Sequence, residues 1–159
     1  MTTSTTEATI MKTSRTRGLR TVTAIILVLL GAQFLIGVAV NLYVKIPASH
    51  PGANAQEYFS GVYQSVLWAL QQSTFYLWLH VIIGLVLFLL SIVLLIMSIV
   101  ARRGGWIITS IFGFIGISAA GFNGASFMNY NQDFSSLLMS VGFLLAAVFY
   151  VFGVAVLRR

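Results

Sequence analysis

The residue with the clearest chemical potential in this chain of 159 residues is His80, which lies inside a long apolar run. An imidazole in such a segment can bind haem iron or another metal through a ring nitrogen. Ionisable residues inside membrane-spanning segments are energetically costly, and they often mark a functional site. The structural alternative is that His80 forms a hydrogen bond to a neighbouring helix or to a loop near Asn123. The sequence leaves both interpretations open.

A haem site at His80 would need a second ligand or an open coordination position. The only other histidine, His50, precedes Pro51 in a polar stretch. Met139 lies in a later apolar run, where its sulfur could reach the depth of His80 in the membrane. The thioether of Met128 is another candidate for the second ligand. We therefore predict no cofactor, and we keep a haem b on His80, with Met139 as its partner, as the alternative.

Other polar residues could in principle bind a divalent metal, because they include imidazoles and carboxylates. They are His50, Glu57, His80, Asn123, Asn129, Asn131 and Asp133. Their spacing matches no metal motif: the chain has no H-E-x-x-H and no carboxylate pair at helical spacing. The absence of cysteine excludes thiolate sites and disulfides. We predict no metal site and assign these residues to caps, turns and solvated loops.

Signatures of catalysis and ion-coupled transport are missing. The chain contains no G-x-S-x-G motif, and its apolar runs contain no Asp or Glu. A serine hydrolase needs an activated nucleophile, and intramembrane proteolysis or proton-driven transport needs a carboxylate within a span. The sequence therefore predicts a non-enzymatic protein with no catalytic residues.

The composition of the chain indicates that His80 lies in one of several membrane-spanning helices. Hydrophobic residues make up 58% of the chain and charged residues 8%, against about 25% charged residues in soluble domains. Four apolar runs are each long enough for a membrane-spanning helix, which needs about 17–25 residues. We place these helices at residues 21–44, 75–100, 106–122 and 136–157. The sequence predicts an all-α integral membrane protein, a single four-helix bundle over residues 21–159.

The nine basic residues are distributed asymmetrically along the chain. Eight lie on one predicted side of the membrane: Lys12, Arg15, Arg17, Arg20, Arg102, Arg103, Arg158 and Arg159. The positive-inside rule then places both termini in the cytoplasm, with residues 1–20 as a mobile basic arm. This distribution accounts for the basic composition without a nucleic-acid partner. We predict a plasma membrane location, and the absence of an N-x-[ST] sequon is compatible with a prokaryote.

Two segments on the outer side are polar. Residues 55–71 alternate at helical spacing between apolar and polar side chains, which predicts an amphipathic helix at the membrane interface or across the bundle mouth. Asn54 and Glu57 form a possible capping pair at its start. Residues 122–136 are predicted to be an ordered loop, in which Asn123-Gly124 is a turn signal.

Two features inside the predicted spans indicate helix packing. Small residues recur in the third span at Ser110, Gly113, Gly116 and Ala120, a pattern that allows close approach of a neighbouring helix. Gln33 lies near the middle of the first span. Its amide could line a path through the membrane, but such groups more often form a hydrogen bond to another helix.

We predict an accessory subunit or partner-binding module of a larger membrane complex, which uses its outer face to bind a membrane protein or a second copy. The proposed partner or ligand surface is Tyr58, Tyr63, Trp68, Asn123, Phe127, Tyr130 and Asp133. Two other functions remain open: a redox protein with haem or a small redox ligand at His80, and binding of a lipid or hydrophobic ligand beneath the amphipathic helix.

Overall fold

A computed structural model describes the backbone of residues 2–157 and the side chains of residues 16–157. This part of the chain forms five helices and is all-α, as predicted. They are α1 (Thr2–Tyr43), α2 (Tyr58–Gln72), α3 (Phe75–Val100), α4 (Gly104–Tyr130) and α5 (Asp133–Val156). Four of them, α1, α3, α4 and α5, are long and apolar enough to cross a membrane, and the apolar part of α1 is Thr16–Tyr43.

The first helix begins earlier than predicted. It starts at Thr2 and not near residue 21, so the backbone of the predicted arm continues α1. The mobility of that arm stays a prediction. Four of the basic residues that we place on the cytoplasmic side have side chains outside the described part of the structure: Lys12, Arg15, Arg158 and Arg159.

The predicted loop over residues 122–136 is wrong, because α4 continues to Tyr130 and α5 begins at Asp133. The side chain of Asn123 donates to the carbonyl oxygen of Ala119, one turn back, at 2.8 Å. This bond keeps the amide inside the helix, and the predicted Asn123-Gly124 turn does not form. The helix ends at Asn131, whose φ of 50° is left-handed, a conformation that asparagine tolerates better than most residues.

The predicted capping pair at the start of α2 is also wrong. Glu57 is itself the N-cap, and its carboxylate accepts a hydrogen bond from the backbone N–H of Ser60 at 3.3 Å. Asn54 lies further upstream with a φ of 54°. Its backbone N–H donates to the carbonyl oxygen of Asn129 at 2.8 Å, which ties this loop to α4.

The four long helices form a closed ring in which α1 packs on α3, α3 on α4, α4 on α5, and α5 on α1. Contacts along the chain show that neighbours are antiparallel: Gln33 meets His80, Ser98 meets Ser110, and Gly113 meets Tyr150. The largest buried core runs along this ring. It contains Leu19, Ile26, Leu30, Leu87, Leu94, Trp106, Ile117, Ala146 and Tyr150.

Small residues bring α4 and α5 into backbone contact, as the stripe in the sequence predicted. A Cβ atom on Gly116 would lie 2.6 Å from the backbone nitrogen of Ala146 and from the carbonyl oxygen of Gly142. A Cβ on Gly142 would lie 2.7 Å from backbone atoms of Gly116 and Ala120. The α4–α5 contact therefore requires glycine at both positions.

The amphipathic helix α2 closes one end of the ring by packing on α3 and α4. A second buried core lies beneath it, made of Ala69, Leu77, Ala125 and Met128. We call residues 46–72 together with residues 122–130 of α4 the cap. The opposite end, which contains the α3–α4 turn and residues 16–20 of α1, is the basic end.

Candidate functional site

The buried face of α2 is made of small residues. Gly61, Ser65 and Ala69 recur every four residues, and each is buried against the rest of the cap. A Cβ on Gly61 would lie 2.5 Å from Nδ2 of Asn129. Gly52 has a φ of 91°, and a Cβ there would lie 2.7 Å from the backbone nitrogen of Ser65. The preceding loop, α2 and α4 can therefore meet only with glycine at these two positions.

Asn129 is the central polar residue of the cap and is only 2% exposed. Its side-chain Oδ1 accepts a hydrogen bond from the backbone N–H of Ala55 at 3.1 Å, and its carbonyl oxygen accepts from Asn54. The Tyr130 hydroxyl donates to the carbonyl oxygen of Ala55 at 3.4 Å. These bonds hold the loop before α2 on the last turn of α4.

Two aromatic contacts extend this attachment. The hydroxyls of Tyr58 and Ser126 lie 2.9 Å apart, which links α2 to α4. The imidazole of His50 stacks on Trp68 with the ring centroids 4.4 Å apart. Tyr58 therefore bonds the start of α2 to α4, and Trp68 packs the later part of α2 on the loop.

His50 is part of this attachment and has no open metal-binding position. Its Nε2 lies 3.0 Å from the carbonyl oxygen of Met128, and its Nδ1 lies 2.9 Å from that of Pro51. A neutral imidazole can donate to one of these oxygens, and an imidazolium can donate to both. In either state both ring nitrogens face carbonyl oxygens. Among the side chains that the structure describes, no three His, Asp or Glu residues form a group that could hold a metal.

The predicted partner surface divides into internal and exposed residues. Tyr58, Trp68 and Tyr130 form contacts within the cap, the amide of Asn123 is bonded within α4, and Phe127 is half-buried. Tyr63 is 65% exposed, and Asp133 at the start of α5 is also exposed. The structure thus leaves Tyr63 and Asp133 as the accessible members, and their role in binding stays a prediction.

Sequence reasoning missed the two cap glycines and assigned Asn129 to a loop. The four-residue spacing of Gly61, Ser65 and Ala69 inside an aromatic-rich helix was a readable signal for a close contact. The role of Gly52 depends on its positive φ, and that of Asn129 on backbone N–H donors in a distant loop. No local pattern encodes either property.

His80 and Gln33 form a polar pair between α3 and α1. The Gln33 side-chain nitrogen lies 3.1 Å from the carbonyl oxygen of His80 and 3.2 Å from its ring Nε2. A carbonyl oxygen only accepts hydrogen bonds, so the amide nitrogen and not its oxygen must face it. The second amide hydrogen then points to Nε2, which accepts it. We assign the ring hydrogen of neutral His80 to Nδ1 on this ground.

Two glycines make room for the pair. A Cβ on Gly37 would lie 3.1 Å from Cε1 of His80, and one on Gly84 would lie 3.4 Å from Nε2 of Gln33. The pair therefore fills the space between α1 and α3, which favours the interhelical interpretation of both residues over a path through the membrane.

Met139 and His80 contact different helices, and their pairing as haem ligands stays a prediction. The sulfur of Met139 lies 3.3 Å from the Cβ position of Gly124, so this side chain of α5 packs on α4. His80 on α3 faces Gln33 and Gly37 of α1. Its Nε2, one of the two nitrogens that could bind a metal, accepts a hydrogen bond instead. A haem at His80 would have to displace the Gln33 amide.

We predict that His80 carries its hydrogen on Nδ1 and that Gln33 fixes this tautomer. Nitrogen NMR of ¹⁵N-histidine-labelled protein in lipid nanodiscs should show a protonated Nδ1 and an unprotonated Nε2 for His80. Gln33→Leu should allow both tautomers and lower the unfolding free energy by about 1 kcal/mol. A protonated Nε2 in the unmodified protein would show that the Gln33 bond is assigned wrongly.

Comparison of the chain with models of known protein families, with curated proteins and with solved structures finds no match.

Proposed function

We propose that this protein is a non-enzymatic subunit of a larger membrane assembly and that its cap binds another membrane protein. The observation that carries the proposal is the attachment of the loop before α2 to the last turn of α4. Loop residues 50–55 are bonded to three successive residues of α4, namely Met128, Asn129 and Tyr130. A surface held in one arrangement loses little conformational entropy on binding, which favours affinity.

The exposed part of α2 supports a position at the membrane surface. Phe59 and Tyr63, one turn apart, are 69% and 65% exposed. Ser60, Gln64 and Gln71 form a separate exposed face that carries no charge. We infer that the aromatic side contacts the bilayer interface, where such residues are enriched, and that the neutral polar side contacts the partner through hydrogen bonds.

The charge distribution supports an orientation with the cap outside the cell. Four described arginines lie at the basic end: Arg17, Arg20, Arg102 and Arg103. Lys45, Glu57 and Asp133 lie toward the capped end. By the positive-inside rule the basic end and both termini are cytoplasmic. We propose the plasma membrane of a prokaryotic cell as the location.

The proposal predicts one crosslinked partner at the polar face of α2. A photoreactive amino acid at Gln64 should crosslink a single different polypeptide in the native membrane, whereas the same probe at Val148, which is 55% exposed on α5, should not. Combining the probe at position 64 with Asn129→Ala should reduce the yield of the crosslink. The substitution removes the side-chain acceptor for the backbone N–H of Ala55, and this bond positions the loop before α2. Equal crosslinking from the two positions, or crosslinks only to copies of the same chain, would contradict the proposal.

A second candidate function, binding of a small redox ligand at His80, rests on a separate observation. Oε1 of Gln33 and Nδ1 of His80 are buried and have no hydrogen-bond partner in the described structure. Each of these atoms could bind a polar group of a ligand. A haem would instead bind Nε2 after displacing the Gln33 amide, and gently purified protein would then show a strong Soret absorbance that is lost in His80→Ala.

A further inference from the structure

The basic end of the bundle concentrates positive charge from two separate parts of the chain. Residues 16–20 of α1 contribute Arg17 and Arg20, and the α3–α4 turn contributes Arg102 and Arg103. Neither segment contains an acidic residue. Four guanidinium groups at one end of a bundle produce a strongly positive potential, to which an anion is attracted.

A hydrogen bond holds the two segments together. The Nη2 of Arg103 donates to Oγ1 of Thr16 at 3.2 Å. Arg20 follows Thr16 by one helical turn, so it lies on the same face of α1 as this contact. Arg17 and Arg102 are exposed. All four arginines therefore lie at one end of the bundle, with Arg20 and Arg103 beside the contact between α1 and the turn.

The backbone of the turn leaves the guanidinium groups available to an external anion. The backbone N–H groups of Ala101, Arg102 and Arg103 donate to the carbonyl oxygens of Met97, Ile99 and Ser98. These carbonyls at the end of α3 would otherwise be the natural local acceptors for the arginine side chains.

Exposed apolar residues lie next to the arginines. Ile99 and Val100 at the end of α3 are 53% and 65% exposed, and Ile108 in the first turns of α4 is 56% exposed. A free phosphate would use only the charged part of this surface. A phospholipid would place its phosphate among the arginines and its acyl chains along the apolar residues.

We propose that Arg17, Arg20, Arg102 and Arg103 bind the phosphate headgroup of an anionic phospholipid between α1 and the α3–α4 turn. Guanidinium groups suit this ligand because they form paired hydrogen bonds to phosphate oxygens. The site lies at the opposite end from the cap and does not depend on the partner proposed above.

Native mass spectrometry of the full chain with two added lipids tests this proposal. The lipids are phosphatidylglycerol and phosphatidylcholine with identical acyl chains. We expect the protein to retain phosphatidylglycerol in preference to phosphatidylcholine. Arg17→Gln combined with Arg102→Gln should reduce that retention by about tenfold or more, since each basic residue near an anionic headgroup contributes about a fivefold factor.

The matched control is Lys45→Gln, which removes a positive charge toward the capped end and should leave retention unchanged within about twofold. Both exposed arginines can be replaced without breaking the Arg103–Thr16 bond, so the variant should fold, and its unfolding midpoint verifies this. Equal retention of the two lipids, or no effect of the double substitution, would overturn the proposal. Displacement of the lipid by millimolar inorganic phosphate would overturn it too, because it would indicate a site for free phosphate.

Discussion

Replacing Gly142 with leucine is expected to separate α4 from α5 and to lower the unfolding free energy by about 3 kcal/mol. The reason is geometric. Any Cβ at this position would lie 2.7 Å from the carbonyl oxygen of Gly116 and from the backbone nitrogen of Ala120. Backbone atoms cannot rotate away as a side chain can, so the two helices must move apart.

Gly121→Leu is the matched control for this prediction, because a Cβ on Gly121 would meet no atom within 4 Å. Both substitutions add the same volume and gain the same intrinsic helix propensity, so their difference isolates the helix contact. Denaturation of the two variants in detergent, followed by circular dichroism, measures the difference. Equal unfolding midpoints would show that α4 and α5 do not approach as closely as described.

The second large effect is expected from Gly52→Ala, which should open the cap. Gly52 has a φ of 91°, and a Cβ there would lie 2.7 Å from the backbone nitrogen of Ser65. Alanine would be strained in this conformation even with free space. The strain is relieved when the loop leaves α2, so the cap should open more often.

Cysteine labelling measures cap opening, because the chain contains no cysteine of its own. Leu77→Cys places a thiol beneath α2, where Leu77 is 3% exposed. Maleimide labelling should become about tenfold faster with Gly52→Ala, which corresponds to a cost of about 1.4 kcal/mol. It should not change with Gly31→Ala, where a Cβ would meet no atom within 4 Å. Equal rates for the two variants would contradict the role given to Gly52.

Features that depend on local composition could be predicted from the sequence. The four apolar helices follow from run length, and the α4–α5 contact follows from small residues at three- and four-residue spacing. The amphipathic pattern of residues 55–71 predicted α2 closely. These properties could be predicted because each depends on side chains within a single segment.

Features that depend on which hydrogen bonds a residue forms in the folded chain could not be predicted. Asn123-Gly124 is a turn signal locally, yet the bond from Asn123 to Ala119 keeps both residues in α4. Gln33 and His80 were each singled out, but their pairing joins positions 47 residues apart. Most of the cap attachments use a backbone N–H group or carbonyl oxygen. Nearly every residue type carries both groups, so the sequence gives no sign of which one is used.

The proposed role of the cap as a binding surface is tested most directly by native mass spectrometry. The protein should be extracted in mild detergent from its native membrane and its mass measured intact. We expect a complex with a different polypeptide in a fixed ratio, and we expect Asn129→Ala to lose that complex while the chain itself stays folded. A mass equal to the single chain, or to copies of this chain alone, would contradict the proposed binding role.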